Sequence, residues 1–199
     1  MNPWRRDLGR LLSIFHSPKR TFAEIGETPN AAVVVVGMLL VGSATRLITT
    51  ELPDSASRQA QLLLALLVAV GWPFVVSALY LFVFDLFGAE ARYRVILSVT
   101  LHAMWAVFVF ATVSALLWRL VSGEPPLEIG EFLMSSAGVD ERLARDLARM
   151  LNPLEIGRLL LTGLGCAIAL RVASWMSFAV VFAGWFGFHS LPLLRFLLF

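Results

Sequence analysis

Five long apolar segments follow one another along this chain, and they restrict its possible folds more than any other feature. The 199 residues are 58% hydrophobic and 15% charged, with a mean hydropathy of +0.79. A soluble domain has about 45–50% apolar and about 25% charged residues, whereas a bilayer-spanning helix needs roughly 20 apolar residues in succession. The composition therefore excludes an ordinary soluble enzyme and a disordered chain.

The apolar segments predict an all-α fold, a polytopic membrane helical bundle of five spans, covering residues 31–199. An amphipathic, interfacial segment, residues 1–30, precedes it. The predicted spans are 31–50, 62–87, 95–118, 154–170 and 173–194, and a small helical outer loop occupies 119–153. A single helix over the last apolar stretch would overshoot a bilayer, so a tight hairpin near Arg171 is expected. Pro73 predicts a kink in the second span.

Four dipeptides predict helix starts, because each places a capping side chain directly before a proline. Asn, Ser and Thr accept hydrogen bonds from the free N–H groups of a first turn, and proline fits that turn. The four are Asn2-Pro3, Ser17-Pro18, Thr28-Pro29 and Asn152-Pro153.

The first helix so predicted combines an apolar stripe with a basic face. The stripe consists of Trp4, Leu8, Leu11, Leu12 and Phe15, and Arg5, Arg6 and Arg10 lie between its members. Such a helix suits a membrane interface with anionic headgroups. The alternative is a soluble helix packed on a partner domain.

The distribution of Arg and Lys predicts the orientation in the membrane. Positive charge is concentrated in residues 5–20, in the short loop 88–94 and at Arg171. Placing these three segments in the cytoplasm satisfies the positive-inside rule. The N-terminus is then inside and the C-terminus outside, although four arginines in 119–153 oppose this arrangement.

Two charges within the predicted spans stand out, Arg46 and Asp85. The predicted topology puts them near opposite faces of the bilayer, so they are not expected to pair. Asp85 is expected to meet Arg92, Arg94 or Arg171, and Arg46 to extend outwards or to meet Glu155. Structural anchoring and a functional role are both open for each charge.

The sequence predicts no enzyme and no cofactor or metal site. Glu90 and Arg94 have the Glu-x-x-x-Arg spacing of CAAX-type membrane proteases, but the other motifs of those enzymes are missing. The same spacing also describes a favourable helix pair. A cluster of Asp85, Glu90 and His102 is conceivable, yet no pair among them has the short helical spacing of a ligand motif. The single cysteine excludes a disulfide framework.

Repeats and small residues carry further expectations. The five residues Pro126–Gly130 recur as Pro153–Gly157, which predicts two similar helix starts. Residues 139–151 are expected to form an amphipathic helix of an outer cap. Small residues recur every fourth position at Gly165, Ala169 and Ala173 and at Ala179, Ala183 and Gly187. They favour either the hairpin of the last two spans or a homo-oligomer contact.

Several of these segments, in order, resemble the bacterial branch of the Yip1-domain family. The resemblance rests on Asn2-Pro3-Trp4, on Ser17-Pro18 with Phe22 and Ile25, on Phe87-Gly88-Ala89-Glu90, and on Leu151-Asn152-Pro153-Leu154-Glu155-Ile156 followed by Gly163-Leu164-Gly165. It implies a five-span fold with a cytoplasmic N-terminus in the bacterial inner membrane. Eukaryotic members bind Rab-type GTPases, but 98–102 lacks the aromatic residue and proline found at that position in those members.

The function expected from the sequence is that of a non-enzymatic membrane protein. It would organise or recruit membrane-protein partners, or associate with itself, among membrane lipids, and no nucleic-acid role is expected. The alternative is a small transporter, channel or lipid-handling protein that acts as an oligomer.

Overall fold

The computed structural model describes residues 3–49, 56–122 and 152–198, with side chains described for 4–41, for most of 71–121 and for 152–187. These residues form seven helices and no strand. The helices are α1 (Pro3–Ser13), α2 (Pro18–Glu27), α3 (Ala32–Thr49), α4 (Ala56–Leu86), α5 (Tyr93–Ser122), α6 (Pro153–Leu170) and α7 (Ser174–Leu198). An all-helical fold is confirmed, and each predicted span coincides with one helix from α3 to α7. Pro73 lies inside α4.

Membrane-spanning character is distributed unevenly over these helices. Two are long and apolar enough to cross a membrane, α5 over Tyr93–Trp118 and α6 over its whole length. In the other three, the apolar stretches found among the described residues are shorter: Ala32–Val41, Gly71–Leu86 and Ser174–Gly187. Five spans are therefore not confirmed and remain a prediction.

Three of the four predicted helix starts are confirmed, and one is wrong. Helices α1, α2 and α6 begin at Pro3, Pro18 and Pro153. Asn152 caps α6, since its side chain accepts a hydrogen bond from Leu154 N at 2.9 Å. Thr28-Pro29 instead follows the end of α2, and α3 begins at Ala32, whose N–H donates to the Asn30 side chain at 3.1 Å. Asn30, two positions after Thr28, therefore caps α3 in place of the predicted Thr28.

The predicted hairpin of the last two spans is confirmed. Helix α6 ends at Arg171, which adopts the left-handed conformation with φ 56°. Ser177 Oγ donates to Gly163 O at 2.7 Å and thereby ties α7 to α6. A Cβ on Gly163 would come within 2.5 Å of the Phe178 ring. Because Gly163 has no side chain, α6 and α7 pack closely at this position.

The small residues of α6 do not form this hairpin contact, contrary to expectation. They face α2 instead: a Cβ on Gly26 would lie 2.7 Å from Ala169 O. One on Gly165 would lie 2.8 Å from the ring of Phe22 and 2.5 Å from Val99. The small residues Gly165 and Ala169 thus allow the backbone of α2 to pack directly against the backbone of α6. Ala179, Ala183 and Gly187 of α7 are exposed.

Candidate functional site

The first helix presents two different faces, and only one of them matches the prediction. Trp4, Leu8, Leu12 and Phe15 are exposed, whereas Asp7, Arg10, Leu11 and Ile14 are buried. The buried positions follow the spacing i, i+3, i+4, i+7 of one helix face. The prediction that Arg10 faces lipid headgroups and that Leu11 belongs to the exposed stripe is therefore wrong. Arg10 lies on the side that packs against the rest of the protein.

Arg10 binds the end of α2. Its guanidinium donates from Nη1 to Thr28 O at 2.8 Å and from Nη2 to Glu24 O at 2.9 Å. A further bond joins Nη2 to Thr28 Oγ1 at 2.6 Å. The last carbonyl groups of a helix have no partner inside the helix, and a cation there also opposes the negative end of the helix dipole. The side chain of Arg10 thus caps α2 from outside it.

Asp7 balances the charge of Arg10 and extends the network to α3 and α5. Its Oδ1 accepts from Arg10 Nη1 at 3.1 Å, and its Oδ2 accepts from Asn30 Nδ2 at 2.5 Å. The carbonyl of Asn30 accepts from Ser98 Oγ of α5 at 3.0 Å. Asp7 and Arg10 are each 3% exposed, and a pair buried to this degree needs such additional bonds to offset its desolvation.

Trp105 of α5 completes the attachment, while His102 bonds within its own helix. Trp105 Nε1 donates to Leu11 O at 3.2 Å. His102 Nδ1 lies 2.7 Å from Ser98 O, and because a carbonyl oxygen only accepts, Nδ1 is assigned the proton. We call the set Asp7, Arg10, Thr28, Asn30 and Ser98 the N-terminal network. It joins α1, α2, the α2–α3 connection and α5.

The cluster of Asp85, Glu90 and His102, conceivable from the sequence but not expected there, does not form. His102 is buried, whereas Asp85 and Glu90 are exposed. Among the described residues, no group of three His, Cys, Asp or Glu side chains is placed to hold a metal ion. The physical reason is that His102 turns inwards to Ser98, while Asp85 lies in the last turn of α4 and Glu90 lies in the connection after it.

Other predicted pairs are also absent among the described residues. Glu90 precedes the first residue of α5, so it shares no helix with Arg94, and the predicted helix pair is wrong. No ion pair joins Asp85 to Arg92, Arg94 or Arg171, all of which are exposed. The side chain of Arg46, and with it the expected contact to Glu155, lies outside the described residues. So do the outer loop and the first copy of the repeat.

A second polar site lies between α4, α6 and α7. Arg158 donates from Nε to Glu155 at 3.0 Å and also bonds the same carboxylate through Nη2. Trp185 Nε1 donates to Glu155 Oε1 at 3.1 Å. Arg158 is 6% exposed, so it is a buried intramembrane charge if α6 spans the bilayer. Of its parts, only Glu155 had been singled out from the sequence.

Both sites carry a signal in the sequence that was overlooked. Asp7 precedes Arg10 by three positions, and Glu155 precedes Arg158 by three, which is the spacing of an ion pair on one helix face. In each case the pair lies among apolar positions of that face. The apolar residues around each pair recur with the spacing of one helix face, and this spacing indicates that the pair is buried. Asn30 has no comparable signal, since its partners Asp7 and Ser98 are distant in sequence.

Comparison of the chain with protein-family models, with curated proteins and with solved structures finds no match. The similarity to the Yip1-domain family rests on the short segments quoted above. Among the described residues of these segments, Phe22 is buried between α5 and α6, and Pro18 and Pro153 begin α2 and α6.

Proposed function

We propose that this protein is a non-enzymatic integral membrane protein that organises or recruits partners at the bacterial inner membrane, as its resemblance to Yip1-domain proteins implies. The N-terminal helix pair, α1 and α2, is the contact surface for those partners. The observation that carries this proposal is the N-terminal network, because it holds the helix pair in one fixed position on the bundle.

The network favours a rigid recruitment surface over a loose tail. The apolar side chains of α2 pack in the core, where Phe22 and Ile25 are fully buried. Its charged side chains Lys19 and Arg20 are exposed, and within the described part of the chain Arg20 forms its ion pair with Glu24 of its own helix, at 3.1 Å. A helix that is fixed through one face and charged on the other presents the same arrangement of charges to every partner. Binding then does not have to offset the conformational entropy of ordering the helix.

The placement of basic residues supports a cytoplasmic N-terminus. Arg92 and Arg94 lie at the start of α5, and Arg171 lies at the end of α6. These two ends belong to the same end of the bundle, because Val99 of α5 faces Gly165 of α6. The α2 helix packs there too, through Gly26. Basic segments gathered at one end agree with the positive-inside rule.

The exposed face of α1 supports contact with lipid. Trp4, Leu8, Leu12 and Phe15 are between 49% and 69% exposed, and Arg5 beside them is exposed as well. An apolar stripe flanked by basic charge binds the interface of an anionic membrane. The buried position of Arg10 reduces the basic share of this face from what the sequence predicted.

The test is photo-crosslinking in living cells. Deleting α1 and α2 would remove core side chains, so single positions are better probes than a truncation. A photoreactive amino acid at Ala23, which is exposed on α2, is expected to give discrete adducts with other membrane proteins. The same amino acid at Leu120, which is 82% exposed on α5, serves as the control.

Charge reversal at two positions completes the experiment. Lys19→Glu with Arg20→Glu is expected to remove the adducts at Ala23 while leaving the protein folded, since both side chains are exposed. Adducts at Ala23 that persist unchanged in this variant, or that equal those at Leu120, would contradict recruitment by α2. Adducts with a second copy of the chain would favour self-association instead.

The alternative function, a lipid-handling protein or small transporter, is favoured by one observation. A crevice between α4 and α7 reaches the buried Arg158. Polar groups at the base of an apolar crevice are a common design of ligand sites.

A further inference from the structure

The crevice between α4 and α7 contains a small cavity with polar groups at its base. Its volume is about 30 Å³, and its lining includes Trp72, Leu79, Tyr80, Arg158 and Trp185. A water-sized group needs about 10–15 Å³ by this measure, so the cavity has room for about two such groups. Leu79 and the neighbouring Val75 are exposed, which places the mouth of the crevice on the outer surface of the bundle.

Tyr80 brings an unused hydrogen-bond donor to this cavity. The residue is fully buried, and its hydroxyl makes no hydrogen bond to the described residues, although the Arg158 guanidinium is close to it. Its ring packs on α7 where a Cβ on Gly184 would lie 3.0 Å from Cε1. A buried hydroxyl without a partner costs free energy, so the site is incomplete without an acceptor.

The charges at the site define which acceptor fits. Arg158 directs Nε and Nη2 to Glu155, and its Nη1 lies outside this bidentate pair. The positive charge is thereby neutralised by the carboxylate. A further anion would leave the crevice with a net negative charge in an apolar surrounding, which is costly. A neutral oxygen acceptor avoids this cost.

The depth of the site in the bundle matches one such acceptor. The backbone of Arg158 lies about 8 Å from the Pro153 end of α6, at 1.5 Å per residue, but its guanidinium binds the carboxylate of Glu155, a residue about 3 Å from that end. If α6 spans the bilayer, this end reaches the boundary between headgroups and acyl chains, because the helix is about as long as the hydrocarbon layer is thick. Ester carbonyls of glycerolipids lie at that boundary. Tryptophan, present here as Trp72 and Trp185, is enriched there too.

We propose that this crevice binds a membrane glycerolipid through one of its ester carbonyl groups, with the Tyr80 hydroxyl and Arg158 Nη1 as donors. The acyl chain leaves the crevice past Val75 and Leu79. This inference rests on the proposed membrane placement, but it does not depend on the recruitment of partners.

Two lipids that differ only in the carbonyl groups test the proposal. Delipidated protein in detergent is titrated with a diester phosphatidylcholine and with the diether analogue of equal chain length, and the Kd is taken from the rise in melting temperature. We expect the diester to bind about five- to a hundredfold more tightly, as two net hydrogen bonds would provide.

Matched tyrosine variants assign the effect to the site. Tyr80→Phe keeps the ring that packs on Gly184 and removes only the hydroxyl, so it is expected to fold normally and to retain only the smaller preference for the diester that the Arg158 Nη1 bond provides. Tyr93→Phe is the control, because the Tyr93 hydroxyl donates to Phe74 O at 3.1 Å. It is expected to retain the preference for the diester.

The outcomes separate this proposal from the proposed placement. Equal affinity of wild-type protein for both lipids, or a diester preference that is undiminished in Tyr80→Phe, would overturn the carbonyl site while leaving the membrane placement intact. No stabilisation by either lipid would overturn both. Oleate binding more tightly than methyl oleate would overturn the choice of a neutral acceptor.

Discussion

Gly26 lies against Ala169 at a distance that leaves no space for a side chain. A Cβ on Gly26 would come within 2.7 Å of Ala169 O and 3.0 Å of Ala169 Cα. Both neighbours are backbone atoms, which cannot turn away as the end of a flexible side chain can. The contact between α2 and α6 therefore depends on this glycine, and with it the attachment of the N-terminal helix pair to the bundle.

The Gly26→Ala substitution should separate α2 from α6. We expect a loss of about 1–3 kcal/mol in the free energy of unfolding, the usual cost of overfilling a packed contact. Chemical denaturation in detergent micelles measures it. Gly9→Ala in the exposed part of α1 is the control, since a Cβ there meets nothing within 4 Å. It should be neutral or stabilising by about 0.5–1 kcal/mol. Equal effects at the two glycines would contradict close packing at Gly26.

Arg10→Met tests the N-terminal network. Removing the guanidinium leaves the buried Asp7 carboxylate with the more distant Arg6 Nε, at 3.7 Å, as its charged partner, and leaves the carbonyls of Glu24 and Thr28 without their external donor. Breaking a buried pair in this way costs about 3–5 kcal/mol, and the unfolding free energy should fall accordingly. Arg20→Met removes an exposed pair with Glu24, which is worth at most about 1 kcal/mol. A loss below about 1 kcal/mol for Arg10→Met would show that the network contributes little.

Two asparagine caps of different connectivity provide a third comparison. Asn152 accepts one bond from Leu154 N, whereas Asn30 accepts from Ala32 N and also donates to Asp7. Asn152→Ala should cost about 1 kcal/mol, the usual value of a cap. Asn30→Ala should cost clearly more, because Asp7 loses a bond as well. Equal losses in thermal or chemical unfolding would mean that the Asn30–Asp7 bond has no net value.

The turn between α6 and α7 predicts a stabilising substitution. Arg171 has a φ of 56°, and Gly88 has a φ of 72°. A residue with a Cβ is disfavoured in this conformation by roughly 1–2 kcal/mol. Arg171→Gly should therefore raise the unfolding free energy by up to about 1 kcal/mol, and Gly88→Ala should lower it by a similar amount. Changes of the same sign at both positions would contradict this assignment of the turns.

Helix positions could be predicted from the sequence because they depend on local signals. The apolar segments and the Asn-Pro and Ser-Pro starts identify helices whose boundaries agree with the structure within six residues, the largest difference being the start of α4. The turn at Arg171 follows from the length limit that a bilayer sets. The prediction of a helix start at Thr28-Pro29 is wrong because Asn30, a second residue suited to capping, lies directly after it. The capping preference of a residue alone does not determine which of two neighbouring residues caps the helix.

Contacts between helices could not be predicted in the same way. The small residues at Gly165 and Ala169 indicate close packing, but the stripe does not name its partner, and α2 proved to be that partner rather than α7. The charge of Arg10, taken alone, predicts a position on the basic face towards lipid headgroups, and this prediction is wrong. Its spacing from Asp7, Leu11 and Ile14 indicates instead that Arg10 lies on the same buried face of α1. The bonds of Asn30 to Ser98 and of Trp105 to Leu11 connect distant residues and leave no local trace.

Amide hydrogen exchange along α2 tests most directly that the N-terminal helix pair is a fixed part of the bundle. In wild-type protein in lipid nanodiscs, the amides of residues 22–27 should exchange as slowly as those of residues 95–106 in α5. Arg10→Met should speed exchange in α2 and leave α6 and α7 unchanged. Exchange of the α2 amides within seconds in the wild-type protein, as in an unattached surface helix, would contradict the account.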